Sequence, residues 1–169
     1  MRLIVYGYIH WHWFVFTILS PFLLINVYPL QLDKHMQYSC AYWKDASTLE
    51  KAQENKLHLI ARKLKMEPGM KVLEIGCGWG FLACFFAKHY GVHVTGITIS
   101  NEQLKGARKL AEERGLSDLT SFEYCDYRSA EGQYDRVVSI AMLEAVGYKV
   151  RACMCVCVMW WWWCVCVCV

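Results

Sequence analysis

The sequence predicts an α/β fold built on a parallel sheet. Three observations point to it: short apolar runs alternate with helical patterns between Ser47 and Ile140, a Gly-rich turn joins the first run to the helix after it, and the charged residues are confined to this part of the chain. Of the 18 basic and 15 acidic side chains in 169 residues, only Arg2 and Arg151 lie outside residues 33–150. That stretch of 118 residues is therefore about 26% charged, an ordinary figure for a globular domain, and its net charge is +1. Intrinsic disorder is excluded for it, and no basic patch argues for a nucleic-acid partner.

The first element is a helix over Ser47–Lys65, in which Leu49, Ala52, Leu57, Ile60, Ala61 and Leu64 fall largely on one face, with Lys, Glu and Gln opposite. Pro68-Gly69 breaks the chain. Lys71-Val72-Leu73-Glu74-Ile75 has the length and apolar character of a buried parallel strand, and it runs into Gly76-Cys77-Gly78-Trp79-Gly80. A second helix is predicted from about Trp79 to Tyr90, ended by Gly91. Val92–Ile97 is the next strand. Ser100 then opens a third helix with a capping box, its hydroxyl accepting from the Gln103 amide while the Gln103 side chain reaches back. Leu104, Ala107, Leu110 and Ala111 form the buried stripe of that helix, and Gly115 stops it. Leu119–Tyr124 and Tyr134–Ile140 are the third and fourth strands, so right-handed crossovers are expected.

The flanks differ from this middle. Residues 3–32 contain no Asp, Glu, Lys or Arg and are long enough to span a bilayer, although Ser20-Pro21 and Pro29 interrupt them. A membrane anchor or uncleaved signal, a misassigned first exon, and a buried or lipid-facing helix are the competing readings of residues 1–32. His10 and His12 do not share a helix face and are not read as metal ligands; no metal site is expected anywhere. Residues 151–169 form a low-complexity tail of Cys, Val and Trp. Strict Cys/Val alternation is what a TG dinucleotide repeat encodes, so the tail reads as translated repeat rather than a metal-binding Cys tract. It has a strand period and high β-propensity, with no charge or Pro to block edge pairing. In the middle stretch Cys40, Cys77, Cys84 and Cys125 form no C-x-x-C pair, which suggests a reducing compartment.

The chemistry sits at the first glycine turn. Glycines let the backbone approach a ligand without a Cβ clash, and the helix that follows offers free amides. In open α/β sheets such a ligand lies at the carboxyl ends of the strands, near the switch in strand order. Phe81 stands where a dinucleotide fingerprint needs its third Gly, and Thr98-Ile99-Ser100 stands where the ribose-binding acid would be, so NAD is disfavoured. Glu74 and Asp126 suggest a cationic, nucleoside-bearing ligand instead.

Glu74-Ile75-Gly76-Cys77-Gly78-Trp79-Gly80 resembles motif I of the S-adenosylmethionine-dependent methyltransferases. Met36-Gln37-Tyr38-Ser39-Cys40-Ala41-Tyr42-Trp43, Thr98-Ile99-Ser100-Asn101-Glu102-Gln103, Tyr134–Ile140 and Glu144-Ala145-Val146-Gly147 narrow the likeness to the cyclopropane-fatty-acyl-phospholipid synthase family, which includes mycolic acid cyclopropane synthases. The resemblance covers about Leu32 to Lys149, roughly 70% of the chain. It implies a Rossmann-like methyltransferase sheet, incomplete here because only strands one to four are present, and so residues 33–150 as the N-terminal part of a methyltransferase domain. It also implies methylene transfer from S-adenosylmethionine to the double bond of an unsaturated phospholipid acyl chain. The double bond attacks the methyl group, and a bound bicarbonate takes a proton from the carbocation as the ring closes.

By the same resemblance the cofactor is contacted by Tyr38, Ser39, Val72, Leu73, Glu74, Ile75, Gly76, Cys77, Gly78, Trp79, Gly80, Thr98, Ile99, Ser100, Asn101, Glu102, Gln103, Asp126, Tyr127 and Ile140. Cys40 and Glu144 are the catalytic residues, helping to hold the bicarbonate. Ala145 replaces the family's usual His, and the family continues well past this point, so impaired activity is expected. The expected partners are an unsaturated phospholipid in a membrane and a second copy of the chain, with no nucleic acid. The expected location is cytoplasmic and peripheral to a membrane, or anchored through residues 1–32. A methyltransferase acting on another small molecule and a non-catalytic cofactor-binding remnant are the alternatives.

Overall fold

The computed structural model describes residues 33–34 and 36–142 and the backbone of 164–167. Leu3–Leu32 and Glu144 lie outside the described residues, so the anchor reading and one of the two residues expected to be catalytic have no structural account. The chain divides between Met36 and Gln37, and the fold described here belongs to the second unit.

Its elements are α1 (Leu49–Leu64), β1 (Lys71–Ile75), α2 (Phe81–Tyr90), β2 (His93–Thr98), α3 (Asn101–Glu113), β3 (Thr120–Tyr124), a 3-10 turn (Tyr127–Ser129), β4 (Arg136–Ile140) and β5 (Cys164–Val167). The strands lie in the order β3-β2-β1-β4-β5, and every neighbouring pair is parallel. Strand order therefore reverses between β1 and β4, beside the glycine turn. The fourth strand is not left as an edge: β5 pairs with it, Val137 opposite Cys164 and Ile140 opposite Val167.

One face of the sheet carries Val72, Val94, Phe122 and Val138 into a core shared with all three helices. Phe86 of α2 and Leu57 and Leu64 of α1 are fully buried there. The other face carries Leu73, Ile75, Ile97 and Val137, with Tyr127, Ala130, Tyr134 and Met142 packed against them. Strands buried on both faces explain the near-continuous apolar runs in the sequence.

Local signals set the ends. Thr48 caps α1, its side chain accepting from the Lys51 amide, and Lys65 closes it in the left-handed region. Arg136 donates from Nε to the Leu64 carbonyl, tying the last turn of α1 to β4. Gly91 ends α2 at φ +63°. The capping box of α3 forms in half: Ser100 Oγ accepts from the Gln103 amide at 3.4 Å, but the Gln103 side chain turns to Thr98, accepting from its hydroxyl at 3.1 Å. The Ser100 amide then donates to Thr98 Oγ1 at 3.2 Å. Thr98 takes the place that Ser100 holds in a full box because it ends β2 one turn before the helix.

α1 docks on α2 through His58, whose Nδ1 lies 2.7 Å from the Tyr90 hydroxyl, with the ring edge-on to Phe85. Burial lowers the His58 pKa, and nearby His89 lowers it further.

Candidate cofactor site

The turn after β1 is shaped by three glycines in the left-handed region: Gly76 at φ +79°, Gly78 at +53° and Gly80 at +79°. The Gly76 and Cys77 amides both donate to the Ile97 carbonyl, at 2.9 and 3.0 Å, which pins the turn to the end of β2. Gly80 donates back to the Cys77 carbonyl at 2.9 Å and leads into α2. The glycines meet different surroundings. A Cβ on Gly80 would stand 2.7 Å from Ala107 Cβ and 2.9 Å from the Phe122 ring, so this Gly lets the turn pack on α3 and β3. A Cβ on Gly78 would meet nothing within 4 Å. Gly78 thus faces open space above the strand ends, where a ligand could approach the backbone. Trp79 lies against α3, where a Cβ on Gly106 would come within 2.6 Å of its ring.

Beneath the turn sits Glu74, only 4% exposed. Burial raises its pKa to about 8, while a hydrogen bond from the Ala83 amide in the first turn of α2 pulls the other way. Its Oε2 has no hydrogen-bond partner among the described residues. Glu74 therefore does what Gly80 has no side chain to do, capping α2 from the neighbouring strand. Cys77 and Cys84 are buried near it. Burial first and the Glu74 charge second push the Cys77 thiol far up, and Cys84 is raised to about 11, chiefly by burial. Both are inert as nucleophiles at neutral pH.

The other expected cofactor residues gather at the carboxyl ends of the strands. Thr98, Ile99 and Ser100 leave β2, with Ile99 69% exposed. Asn101, Glu102 and Gln103 form the first turn of α3, and Glu102 pairs with Lys105 at 3.0 Å. The Cys125 amide donates to the Thr98 carbonyl at 3.1 Å, bringing Asp126 and Tyr127 alongside. Ile140 ends β4, and Ser139 Oγ donates to the Ile75 carbonyl at 3.1 Å, closing β4 onto β1 at this level. Val72, Leu73 and Ile75 are buried strand residues under the turn. Asp126 is already engaged: Arg128 donates to it from its backbone amide, Nε and guanidinium at 2.9, 2.9 and 2.6 Å, and these bonds lower its pKa to about 2. The sequence reading missed Arg128.

Tyr38, Ser39 and Cys40 lie on an irregular segment before α1, with Tyr38 and Cys40 exposed. α1 holds this segment. The Gln53 amide donates to the Ser39 carbonyl at 3.0 Å and Lys56 Nζ to the Ser39 hydroxyl at 2.7 Å. Asn55 donates to the Lys44 carbonyl at 2.8 Å, and the Tyr42 amide to the Ala52 carbonyl at 3.0 Å. Gln53 and Lys56 belong to the buried face of α1, not to the solvent face that the helical pattern assigned to Lys, Glu and Gln.

Known proteins share this arrangement. The family model for mycolic acid cyclopropane synthetase matches residues 25–158. The chain belongs to this family. Its curated relatives include the cyclopropane-fatty-acyl-phospholipid synthase of Escherichia coli K12, 50% identical over 124 residues, which are 73% of this chain and 31% of that protein. The sphingolipid C9-methyltransferase of Candida albicans is 42% identical over 134 residues, covering 73% of this chain and 26% of the relative. The chain thus spans about a third or less of the length of these two relatives. Among solved structures, mycolic acid cyclopropane synthase CmaA1 complexed with SAH and CTAB matches with a TM-score of 0.72 and 31% identity, over 76% of this chain and 45% of that one. Coclaurine N-methyltransferase bound to N-methylheliamine and SAH matches at 0.63 and 28%, over 69% and 35%. The Rossmann-like methyltransferase fold expected for the cyclopropane synthetase family is the fold of this chain.

Proposed function

We propose that this chain carries the cofactor-binding part of a cyclopropane-fatty-acyl-phospholipid synthase and binds S-adenosylmethionine over Gly76–Gly80. The observation that carries the reading is the Gly78 backbone, open above the strand ends at the reversal of strand order. The chemistry of the surroundings fits: a buried acid beneath the turn, apolar Ile99 exposed at the end of β2, and polar Gln103 in the first turn of α3. S-adenosylmethionine, when bound, supplies an electrophilic methyl group on a sulfonium. The open backbone at Gly78 receives the ligand, Ile99 offers it an apolar wall, and Glu74 sets the direction in which α2 leaves the sheet.

The acceptor in this reading is the double bond of an unsaturated phospholipid acyl chain, as the family relatives' names suggest, and Cys40 with Glu144 helps to hold a bicarbonate. Exposed Tyr42 and Trp43 beside Cys40 suit a membrane–water interface, which supports a peripheral location. The free thiols Cys40, Cys77, Cys84 and Cys125 are in keeping with the cytoplasm. A homodimer belongs to the same proposal.

The test is calorimetric titration of the chain with S-adenosylhomocysteine, alongside Gly78→Ala. Wild type binds, and Gly78→Ala stays folded but loses at least tenfold in affinity, because its methyl group occupies ligand space. Equal binding by both proteins rejects the site. Incubation with labelled S-adenosylmethionine and unsaturated phospholipid vesicles then separates transfer from binding alone.

A further inference from the structure

Gln53 and Lys56 are 3% and 5% exposed on a helix face otherwise made of Ala, Leu and Ile. Burying an amide or an ammonium is costly unless it is hydrogen-bonded, and apolar side chains of similar size would serve packing better. Both groups donate to one residue, Ser39, which is 14 positions away from Gln53 and 17 from Lys56. The Gln53 amide takes the Ser39 carbonyl, which leaves its own Oε1 buried and without a partner among the described residues. That arrangement sacrifices stability to fix a place. The Ser39 segment has no helix or strand ladder to hold it, so α1 side chains set its path.

The Lys56 bond also has a direction. An ammonium has only protons to give, so Ser39 Oγ is the acceptor at 2.7 Å. The Ser39 proton is then turned away from Lys56, which leaves the hydroxyl able to donate to another group. We propose that Lys56 is a positioning residue that, with Gln53, holds Ser39 in place and turns its hydroxyl into a hydrogen-bond donor for an acceptor oxygen of the bound ligand. This rests on the cofactor reading above for the ligand, but the holding of Ser39 stands independently of it.

The experiment uses the full chain and the variants Lys56→Met, Lys56→Arg, Ser39→Ala and the Lys56→Met/Ser39→Ala double. Hydrogen–deuterium exchange in the absence of ligand reads the segment. Lys56→Met is expected to speed exchange at least tenfold in residues 38–44, while β1 and α2 amides keep their wild-type protection, and Lys56→Arg restores most of it. Titration with S-adenosylhomocysteine reads the ligand: Lys56→Met loses about tenfold in affinity, as for loss of a charged hydrogen bond. In the Ser39→Ala background the same change costs little more, because Lys56 acts through Ser39. Unchanged exchange in residues 38–44, or a Lys56→Met effect that adds in full to Ser39→Ala, overturns the proposal. Wild-type chain that fails to bind S-adenosylhomocysteine rejects the cofactor reading and the donor role together, and the exchange result still decides whether Lys56 holds Ser39.

Discussion

Glu74 concentrates the consequences of a single buried side chain. Its carboxyl accepts from the Ala83 amide and is otherwise enclosed, so the neutral form is favoured and its pKa rises to about 8 from 4.5. A folded-state value above the unfolded one gives stability that is complete below the unfolded pKa and is lost as pH rises through the folded pKa. The window is therefore pH 4.5 to 8, and its depth is at most about 5 kcal/mol. Glu74→Gln keeps an acceptor for Ala83 and cannot ionise. Urea midpoints measured from pH 5 to 9 should fall with pH in wild type and run nearly flat in Glu74→Gln, so parallel profiles would refute the neutral carboxyl. The sequence placed Glu74 at the end of a strand and read it as an acid for a cation. Its capping of α2 was not legible, because the amide it serves lies across the glycine turn. The same holds for Asp126, whose residue type suggested a ligand contact although Arg128, two positions on, already engages both its oxygens.

Between elements, close approach is set by which glycine faces what. Gly80 packs against Ala107 of α3 and Phe122 of β3, so Gly80→Ala combines a left-handed backbone with an overpacked junction. The two effects together cost roughly 2–4 kcal/mol. Gly78→Ala bears only the backbone cost, ~1 kcal/mol, because its Cβ meets nothing. Denaturation midpoints of the two variants should differ accordingly, and equal losses would mean that the turn does not sit as described. The apolar runs made the strands legible: Lys71–Ile75 is the observed β1 residue for residue, and β2 and β3 begin one residue later than the pattern predicted. The helix pattern of α1 also held in Ala52, Leu57, Ile60, Ala61 and Leu64, whereas Leu49, placed on the same face, is exposed in the first turn. Periodicity failed on Gln53 and Lys56 because their burial is justified by Ser39, a partner outside the helix that no period can announce.

Across the whole molecule, the distribution of charge decides how the sheet ends. At one edge, β3 exposes Ser121, Glu123 and Tyr124, and the Glu123 charge discourages a further strand. At the other, β4 carries Val137 and Val138, 1% and 0% exposed, and its outer hydrogen-bonding groups are taken by β5. The strand period of the tail was legible in its Cys/Val alternation, whereas its parallel pairing with β4 depends on where the sheet leaves an edge. Among the described residues β5 is then the outermost strand, and residues 152–169 hold no charged side chain. Deleting residues 164–169 would return the exposed edge to β4, and self-association should persist. Replacing Cys166 with Lys leaves the backbone ladder available and places a charge on the outermost strand, the device that natural edge strands use. Light scattering over a concentration series should show Cys166→Lys staying dispersed at concentrations where wild type and the deletion both associate. A deletion variant as well dispersed as Cys166→Lys would locate the hazard in the tail's own composition and not in an unguarded sheet edge.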